Sequence, residues 1–243
     1  MAEWLICIDD TDDIGTKGTG EIASEIAELL RCQSGDVSLV TRHQLYVHDD
    51  IPYTSHNSAM CFAYDGPLAV AEIKAIAAAH LRQESAAAAD PGLAIVHLPS
   101  LRDVEALQTF GKAAKQQVLT KADAYQLAQQ LAIDLSEHGG TGQGVIGALA
   151  GLGLRLSGND GRVKGQLQLG QGESPQPFKV ADILRQGGLE GVLSTEGTWL
   201  QPQDYVWLSG KVKAVMAQGR FALLVSQADG RWCNASKQQL KEY

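Results

Sequence analysis

The 243-residue sequence predicts an α+β protein, with α/β as the nearest alternative, made of two packed units and a short β tail. Three observations predict it. The chain opens with an apolar run, residues 4–8, that breaks into Asp9, Asp10, Asp12 and Asp13. Gly15, Gly18 and Gly20 follow, and then a helical face of Ile22, Ile26, Leu29 and Leu30. A short apolar run bounded by turn residues reads as a buried strand, so the opening is strand, acidic loop, glycine-rich turn, helix. As far as Leu154, short strands alternate with helical stripes. From Tyr205 onward the pattern is all β.

In chain order, residues 32–36 form a turn. Residues 37–47 are rich in β-formers, with Val37, Leu39, Leu45 and Val47 alternating at the ends. The polar loop 48–53 contains Pro52, which forces Ile51 into an extended shape. Residues 59–64 predict a second strand, antiparallel to the first. Pro67 opens a helix carrying Val70, Ile73, Ala77 and Leu81. Residues 86–92 read as a small-residue linker and 93–98 as a strand. Ser100 with Asp103, and Thr120 with Asp123, resemble capping boxes. The first precedes a helix with Val104, Leu107 and Phe110. The second precedes one with Ala124, Leu127, Leu131 and Leu135, predicted to stop at His138-Gly139-Gly140. Gly139-Gly-Thr-Gly-Gln-Gly144 then runs into an apolar helix containing Gly147, Gly151 and Gly153. Each such glycine costs about 1 kcal/mol against alanine, which predicts close packing against backbone or a ligand. Further on, residues 180–184 predict a short helix. Gln218-Gly219 and Asp229-Gly230 predict hairpin turns. Residues 170–191 read as a linker, which divides the chain into 1–195 and a small β unit, 196–243.

The net charge is −8, which argues against broad, non-specific nucleic-acid binding by a basic face but leaves a local basic groove open. No apolar run reaches 18 residues, so no membrane span is expected. The start of the chain lacks a signal-peptide pattern. Cys7, Cys32, Cys61 and Cys233 are scattered without a C-x-x-C pair, so reduced, packed thiols and a cytoplasmic location are expected. A homodimer remains open.

The acidic cluster has three chemical readings. Mg²⁺ takes hard oxygens, normally one or two carboxylates plus substrate phosphates. Asp10 and Asp12 can point one way at the strand end, with Asp9 and Asp13 behind them or at a second ion. Thr16, Lys17, Gly18, Thr19 and Gly20 then stand at the next helix N-terminus, where N–H groups favour phosphate. In an EF-hand count from Asp10, Asp12, Gly15 and Glu21 fall at the third, sixth and twelfth positions, but Ile14 and the preceding strand oppose it. An aspartyl-phosphate phosphatase also uses Asp-x-Asp, but its partner motifs are absent. The bland reading is a solvated acidic turn, although four gathered carboxylates repel one another. The second glycine loop is no Walker loop, because no Gly-Lys-Ser/Thr follows. A helix cap with tight packing explains it equally well. Two glycine loops that each feed a helix together favour a nucleotide cradle.

Ile8-Asp-Asp-Thr-Asp-Asp, then Thr41-Arg42 with Ile51-Pro52-Tyr53, then Gly142-x-Gly144-x-Ile146-Gly147-Ala148-Leu149-Ala150, occur in an order and spacing that resemble the agmatidine-forming tRNA(Ile) synthetases. Those enzymes attach agmatine to a cytidine of an isoleucine tRNA, using ATP. The resemblance covers roughly residues 4–154. It implies a kinase-like unit packed with a ferredoxin-like unit, and ATP and Mg²⁺ as cofactors. It implies catalytic and metal roles for Asp9, Asp10 and Asp12. It implies a substrate or phosphate role for Arg42 and nucleotide contacts near Gly142, Gly144 and Gly147; the residues themselves add Thr16, Gly18, Thr19 and Gly20 as nucleotide contacts at the helix N-terminus, and His56 and Asn57 as substrate contacts. The chain departs from the family in having Gly18-Thr19-Gly20 for Cys-Thr-Thr, Thr54 and His56 for basic residues, and Gln143 for an arginine. Nothing resembles a zinc ribbon, and the tail is either a shrunken OB-like barrel or a β-meander.

A lone loop histidine is more often solvated than a ligand. That weighs against His43, His48 and His138, while His56 stands where a substrate-binding cation is expected. His48-Asp49-Asp50 reads as a solvated loop before a metal site, and Asn57 as a holder of backbone or nucleotide. Trp199, Trp207 and Trp232 suit base stacking or, more simply, a small β core that needs aromatic bulk. The expected activity is an ATP- and Mg²⁺-dependent phosphotransferase or ligase acting on a small-molecule or RNA acceptor, with Asp12 or His56 as base. The alternative is a non-catalytic nucleotide-binding or sensing module.

Overall fold

Strand β1 (Trp4–Asp9) is buried on both faces, and this is why it reads as a continuous apolar run rather than an alternation. The structure is a computed structural model that describes residues 3–51, 56–167, 169 and 172–243. Pro52, Tyr53 and Thr54 of the second motif lie outside the described residues. Contacts divide the chain into two units, Met1–Ser157 and Gly158–Tyr243.

In the first unit β1 is followed by α1 (Thr19–Cys32), β2 (Asp36–Val37), β3 (Thr41–Gln44), β4 (Ser58–Asp65), α2 (Val70–Glu84) and β5 (Gly92–His97). Then come α3 (Val104–Ala113), α4 (Lys121–Leu131), β6 (Asp134–Glu137) and α5 (Gly144–Leu156). The sheet order is β6-β5-β1-β4-β3, with β2 also on β4, and all of these pairings are antiparallel. From β1 to β5 the path is the β-α-β-β-α-β of a ferredoxin-like unit, its second strand split into β2 and β3. Ile6 and Ile8 pack with Ile22 and Ile26 of α1 and Ile73 and Leu81 of α2. Leu5 and Cys7 face the other way, toward Leu107 of α3, Ala128 of α4 and Leu149 of α5. The fold is α+β, with a helix layer on each side of this sheet.

Register sets the site. Asp9 pairs with Gly92, and Gly92 pairs with Glu137. Three neighbouring strands therefore place an acid, a glycine and an acid in one row at the edge where the acidic loop leaves β1.

Two local expectations are corrected. The helix predicted to run through Leu135 to His138 stops at Leu131, and Ala132 is left-handed with φ 56°. Residues 134–137 pair with β5 instead, so tertiary pairing overrides the i, i+4 spacing of Leu131 and Leu135. The α3 cap is Asp103 alone, whose carboxylate accepts from the Ala106 N–H, while the Ser100 hydroxyl bonds the His97 carbonyl. The Thr120–Asp123 capping box forms as predicted.

The second unit contains β7 (Arg162–Val163), β8 (Gln176–Lys179), α6 (Val180–Gly187), β9 (Gly191–Ser194), β10 (Tyr205–Leu208), β11 (Ala214–Ala217), β12 (Arg220–Ala228) and β13 (Arg231–Asn234). Its strand order is β7-β11-β12-β13-β10-β8, with β9 parallel to β12. The linker expected over 170–191 is therefore not a linker: its described residues carry β8, α6 and the start of β9. β8 pairs with β10 and β9 with β12, which ties this stretch to the tail. The Gln218-Gly219 and Asp229-Gly230 turns have positive φ at both residues, as tight hairpins between twisted strands require. Among the described residues, no helix is long and apolar enough to cross a membrane. The four cysteines are free; Cys32 is exposed rather than packed.

Candidate functional site

Asp10 ends β1 in a left-handed conformation, φ 54°, which aspartate tolerates better than most residues. The chain turns there into a cavity of about 380 Å³ in the first unit. Asp9, Asp10, Asp12 and Thr19 form one part of its wall, and Thr141, Gln143, Gly144 and Gly147 another. Asp50, His56, Asn57 and Ser58 add polar groups, and Leu45, Val118 and Ile146 an apolar side. The fold thus brings the acidic cluster, the second glycine loop and the His56-Asn57 pair to one place. Thr16, Gly18, Gly20, Gly142 and Arg42 are not on this wall.

The electrostatics of the wall are one-sided. Asp9 is 7% exposed. Burial pushes its carboxyl well above the usual range, and the charges of Asp10 and Asp12 add to this. Asp10 is pushed up to about 6, first by burial and then by the charges of Asp90 and Asp12, against a hydrogen bond from the Asp90 N–H. The charges that raise these two groups are carboxylates, so a cation entering the cavity would be stabilised by all of them. The Thr19 hydroxyl donates to Asp12 Oδ1 at 3.2 Å. Among the described residues, no three His, Cys, Asp or Glu converge as a ready metal-binding group. Asp10 and Asp12 would be the one or two carboxylates that a Mg²⁺ ion takes beside substrate phosphate.

Three glycines, two in the second loop and one in the first turn of α5, each face a carboxylate. A Cβ at Gly140 would overlap Oδ1 of Asp90, one at Gly142 would overlap Oε2 of Glu137, and one at Gly147 would overlap Oδ2 of Asp9. The predicted close packing holds further along α5, where Gly151 faces Cys7 Sγ and Gly153 the Leu107 carbonyl. Asp90 accepts from the Thr141 N–H at 2.5 Å and from the Thr141 hydroxyl. Burial opposes its charge, but these bonds and the N–H groups of Gln143 and Gly142 outweigh burial and hold its carboxyl below the usual range. On the other side Lys121 bridges the Thr141 carbonyl and Glu137, each at 2.7 Å, and the Tyr125 hydroxyl donates to Glu137. The loop amides expected at phosphate are thus turned onto the chain's own Asp90.

Asp90 and Glu137, which hold the second glycine loop from behind the wall, are the residues that sequence reasoning missed. Asp90 sits in the stretch taken for a linker, where Asp90-Pro91-Gly92 is a usable turn signal. Glu137 lies in a stretch taken for helix.

The remaining candidates disperse. Thr16 closes a turn with Asp13, its hydroxyl donating to the Asp13 carbonyl at 2.9 Å. Lys17 binds Glu25 at 2.8 Å and Glu84 at 2.5 Å, so it anchors the loop to α1 and α2. Gly18 is the N-cap of α1, and Thr19 and Gly20 carry the helix's first N–H groups. Arg42 donates to the Ser58 hydroxyl and to Gln44 Oε1, beside the cavity wall. Asn57 Nδ2 holds the Tyr46 carbonyl, the backbone role of its two expected ones. His43 is buried against the Thr41 hydroxyl at 2.7 Å, His48 lies 3.5 Å from Asp50, and His138 meets Ser136. His56 alone of these histidines lines the cavity.

No family model matches the chain, and no curated protein matches it in sequence. Its fold is similar to solved structures of TiaS. The complex of TiaS with an isoleucine tRNA and ATP matches with a TM-score of 0.56 at 23% identity, over 63% of this chain and 36% of that one. The complex with the same tRNA, AMPCPP and agmatine matches at 0.54, with 23% identity and the same coverage. A tRNA fluorescent labeling enzyme matches at 0.54 and 25% identity, over 62% of this chain and 36% of that one. The chain spans little more than a third of each of these proteins. Over 63% of its length, then, the chain resembles in fold the TiaS family of isoleucine-tRNA agmatidine synthetases.

Proposed function

We propose that this chain is an ATP- and Mg²⁺-dependent phosphotransferase or ligase of RNA modification, acting in the cytoplasm. The observation that carries the reading is the pair Asp9 and Asp10, desolvated and facing other carboxylates in a cavity shared with the α1 N-terminus. Asp10 and Asp12 would hold Mg²⁺, which when bound neutralises charge developing on phosphate oxygens. Asp9 keeps the wall behind them dry and acidic. The Thr19 and Gly20 N–H groups supply the positive end of the α1 dipole to the phosphates. His56, the basic side chain on the described wall, is the base of this reading. The likeness to TiaS, solved with an isoleucine tRNA, ATP and agmatine, supports nucleotide use and a tRNA-related acceptor.

Binding and turnover of ATP, measured with and without Mg²⁺ and with and without bulk tRNA, test this. Mg²⁺-dependent ATP binding and RNA-stimulated turnover are expected. Absence of any Mg²⁺-dependent nucleotide binding would overturn it. Tight binding without turnover on any RNA selects a nucleotide-sensing module instead. That reading draws support from Lys17, which is committed to Glu25 and Glu84, and from Gln143 at the position of an expected arginine.

The second unit supports an RNA acceptor. Residues 158–243 hold ten Lys and Arg against eight Asp and Glu, a net +2, whereas residues 1–157 hold ten against twenty, a net −10. Tyr205 is 49% exposed, with its ring centroid 6.5 Å from that of Trp207, and Arg231 lies over Trp207 at 5.2 Å. Lys179 pairs with Tyr205 in the register. Aromatic rings with cations suit unpaired bases, and each stacked base is worth about 1–3 kcal/mol. Trp207→Ala and Arg231→Ala are expected to weaken single-stranded RNA binding about tenfold, as read by fluorescence anisotropy. Unchanged affinity in both variants would remove RNA from the reading.

A further inference from the structure

We infer that Asp90 is a positioning residue that locks the second glycine loop to the acidic loop and so sets how Asp10 meets a metal ion. The inference rests on the metal–nucleotide reading of the cavity.

The geometry is a strap with two ends. At one end the Asp90 carboxylate gathers the Thr141 hydroxyl and the N–H groups of Thr141, Gly142 and Gln143. At the other end its carbonyl accepts from the Gly144 N–H at 3.0 Å, where a Cβ on Gly144 would also meet the Asp9 carbonyl, so Asp90 stands at the end of β1 from which Asp10 leaves. Gly140 and Gly144 are both needed for this approach, because a Cβ at either would overlap Asp90. One residue therefore holds two things at once, the start of α5 and the loop before it, beside one carboxylate of the proposed metal pair. It also places a fixed negative charge beside Asp10, which strengthens the attraction of the pair for a cation. A loop whose amides are already satisfied by Asp90 has little left to offer a phosphate. The phosphates are thereby directed to the Asp10–Asp12–Thr19 side.

Partners that orient a metal ligand are commonly worth 10- to 100-fold in metal affinity, so Asp90→Ala is expected to raise the Mg²⁺ midpoint for nucleotide binding about tenfold. The measurement titrates Mg²⁺ against the full chain and a fluorescent ATP analogue. Nucleotide bound at saturating Mg²⁺ is expected to stay near the wild-type level. Thr141→Val, which removes one donor to Asp90, is expected to shift the midpoint about two- to threefold in the same direction. The double variant is expected to be no worse than Asp90→Ala, because both changes break one contact. A merely structural role would lower the folded fraction and leave the midpoint in place. An unmoved midpoint in folded Asp90→Ala, or additive shifts, would overturn the inference alone. If Asp90→Ala does not fold, Thr141→Val decides by itself, and an unmoved midpoint there overturns it. Wild-type protein with no Mg²⁺-dependent binding would overturn the reading of the cavity and this inference with it.

Discussion

Asp10→Asn is expected to make the metal-free protein more stable at neutral pH while abolishing Mg²⁺-dependent nucleotide binding. The Asp10 carboxyl titrates at about 6 in the fold, against an ordinary value of 3.8. The folded state therefore holds the proton more tightly than the unfolded state does. The stability that this supplies is complete below about pH 4 and is lost as pH rises through about 6. At pH 7.5 the ionised Asp10 works against the fold, chiefly through burial and the charges of Asp90 and Asp12. Asparagine removes that charge and still accepts the Asp90 N–H. With allowance for solvent at this half-buried group, the gain is about 1–2 kcal/mol, or roughly 3–6 °C in Tm for a chain of this size. At pH 5 the gap between variant and wild type should shrink. Nucleotide binding should fall at least about 100-fold, the loss expected when a metal ligand is removed from a two-carboxylate site. Thermal unfolding at the two pH values and one Mg²⁺-ATP titration check both halves. A variant less stable than wild type at pH 7.5, or one that binds nucleotide normally, would show that Asp10 is a structural acid.

Gly147→Ala is expected to destabilise the first unit and to cost it nucleotide binding. Helix propensity alone favours alanine here by about 1 kcal/mol. Packing reverses the sign, because the new Cβ would overlap Asp9 Oδ2 and press on Leu45 Cδ1. Neither group can retreat easily: Leu45 and Asp9 are both buried. A net loss of about 1–3 kcal/mol is expected from overpacking, with nucleotide binding lost through the displaced Asp9. Gly18→Ala is the contrast. There a Cβ meets Asp12 Oδ2 at an ordinary 3.7 Å, and φ is −73°. A smaller loss, about 0.5–1 kcal/mol, is expected, because alanine is a poorer N-cap than glycine. Denaturant unfolding of both variants measures the difference; equal stability of the two would mean that α5 and β1 do not meet as described.

Much of this architecture is legible before any folding. The run from Trp4 to Ile8 announces a strand covered on both faces, and the break into four aspartates places the chemistry at its end. Gln218-Gly219 and Asp229-Gly230 specify hairpins, and Thr120 with Asp123 specifies a helix start. In each case the interactions responsible lie within a few residues of one another. The acidic cluster could be singled out for the same reason, since like charges gathered beside a buried strand are unfavourable wherever the rest of the chain goes.

What the glycines, the bases and the linker residues do is not local. Residues 134–137 satisfy a helical spacing, yet β5 offers them backbone partners and they become a strand. Lys17, beside the proposed phosphate loop in sequence, is drawn instead to Glu25 and Glu84. Asp90 carries no pattern of its own, and neither does Glu137. The register across β1, β5 and β6 sets Asp9, Gly92 and Glu137 side by side, and only then do the glycines at 140, 142 and 147 acquire their carboxylate neighbours. The sequence by itself determined that acids and glycine loops would flank a buried strand, because propensity, capping and charge repulsion act over short distances. The tertiary structure decided which acid meets which glycine, because strand register is a sum over distant pairs that no short stretch contains.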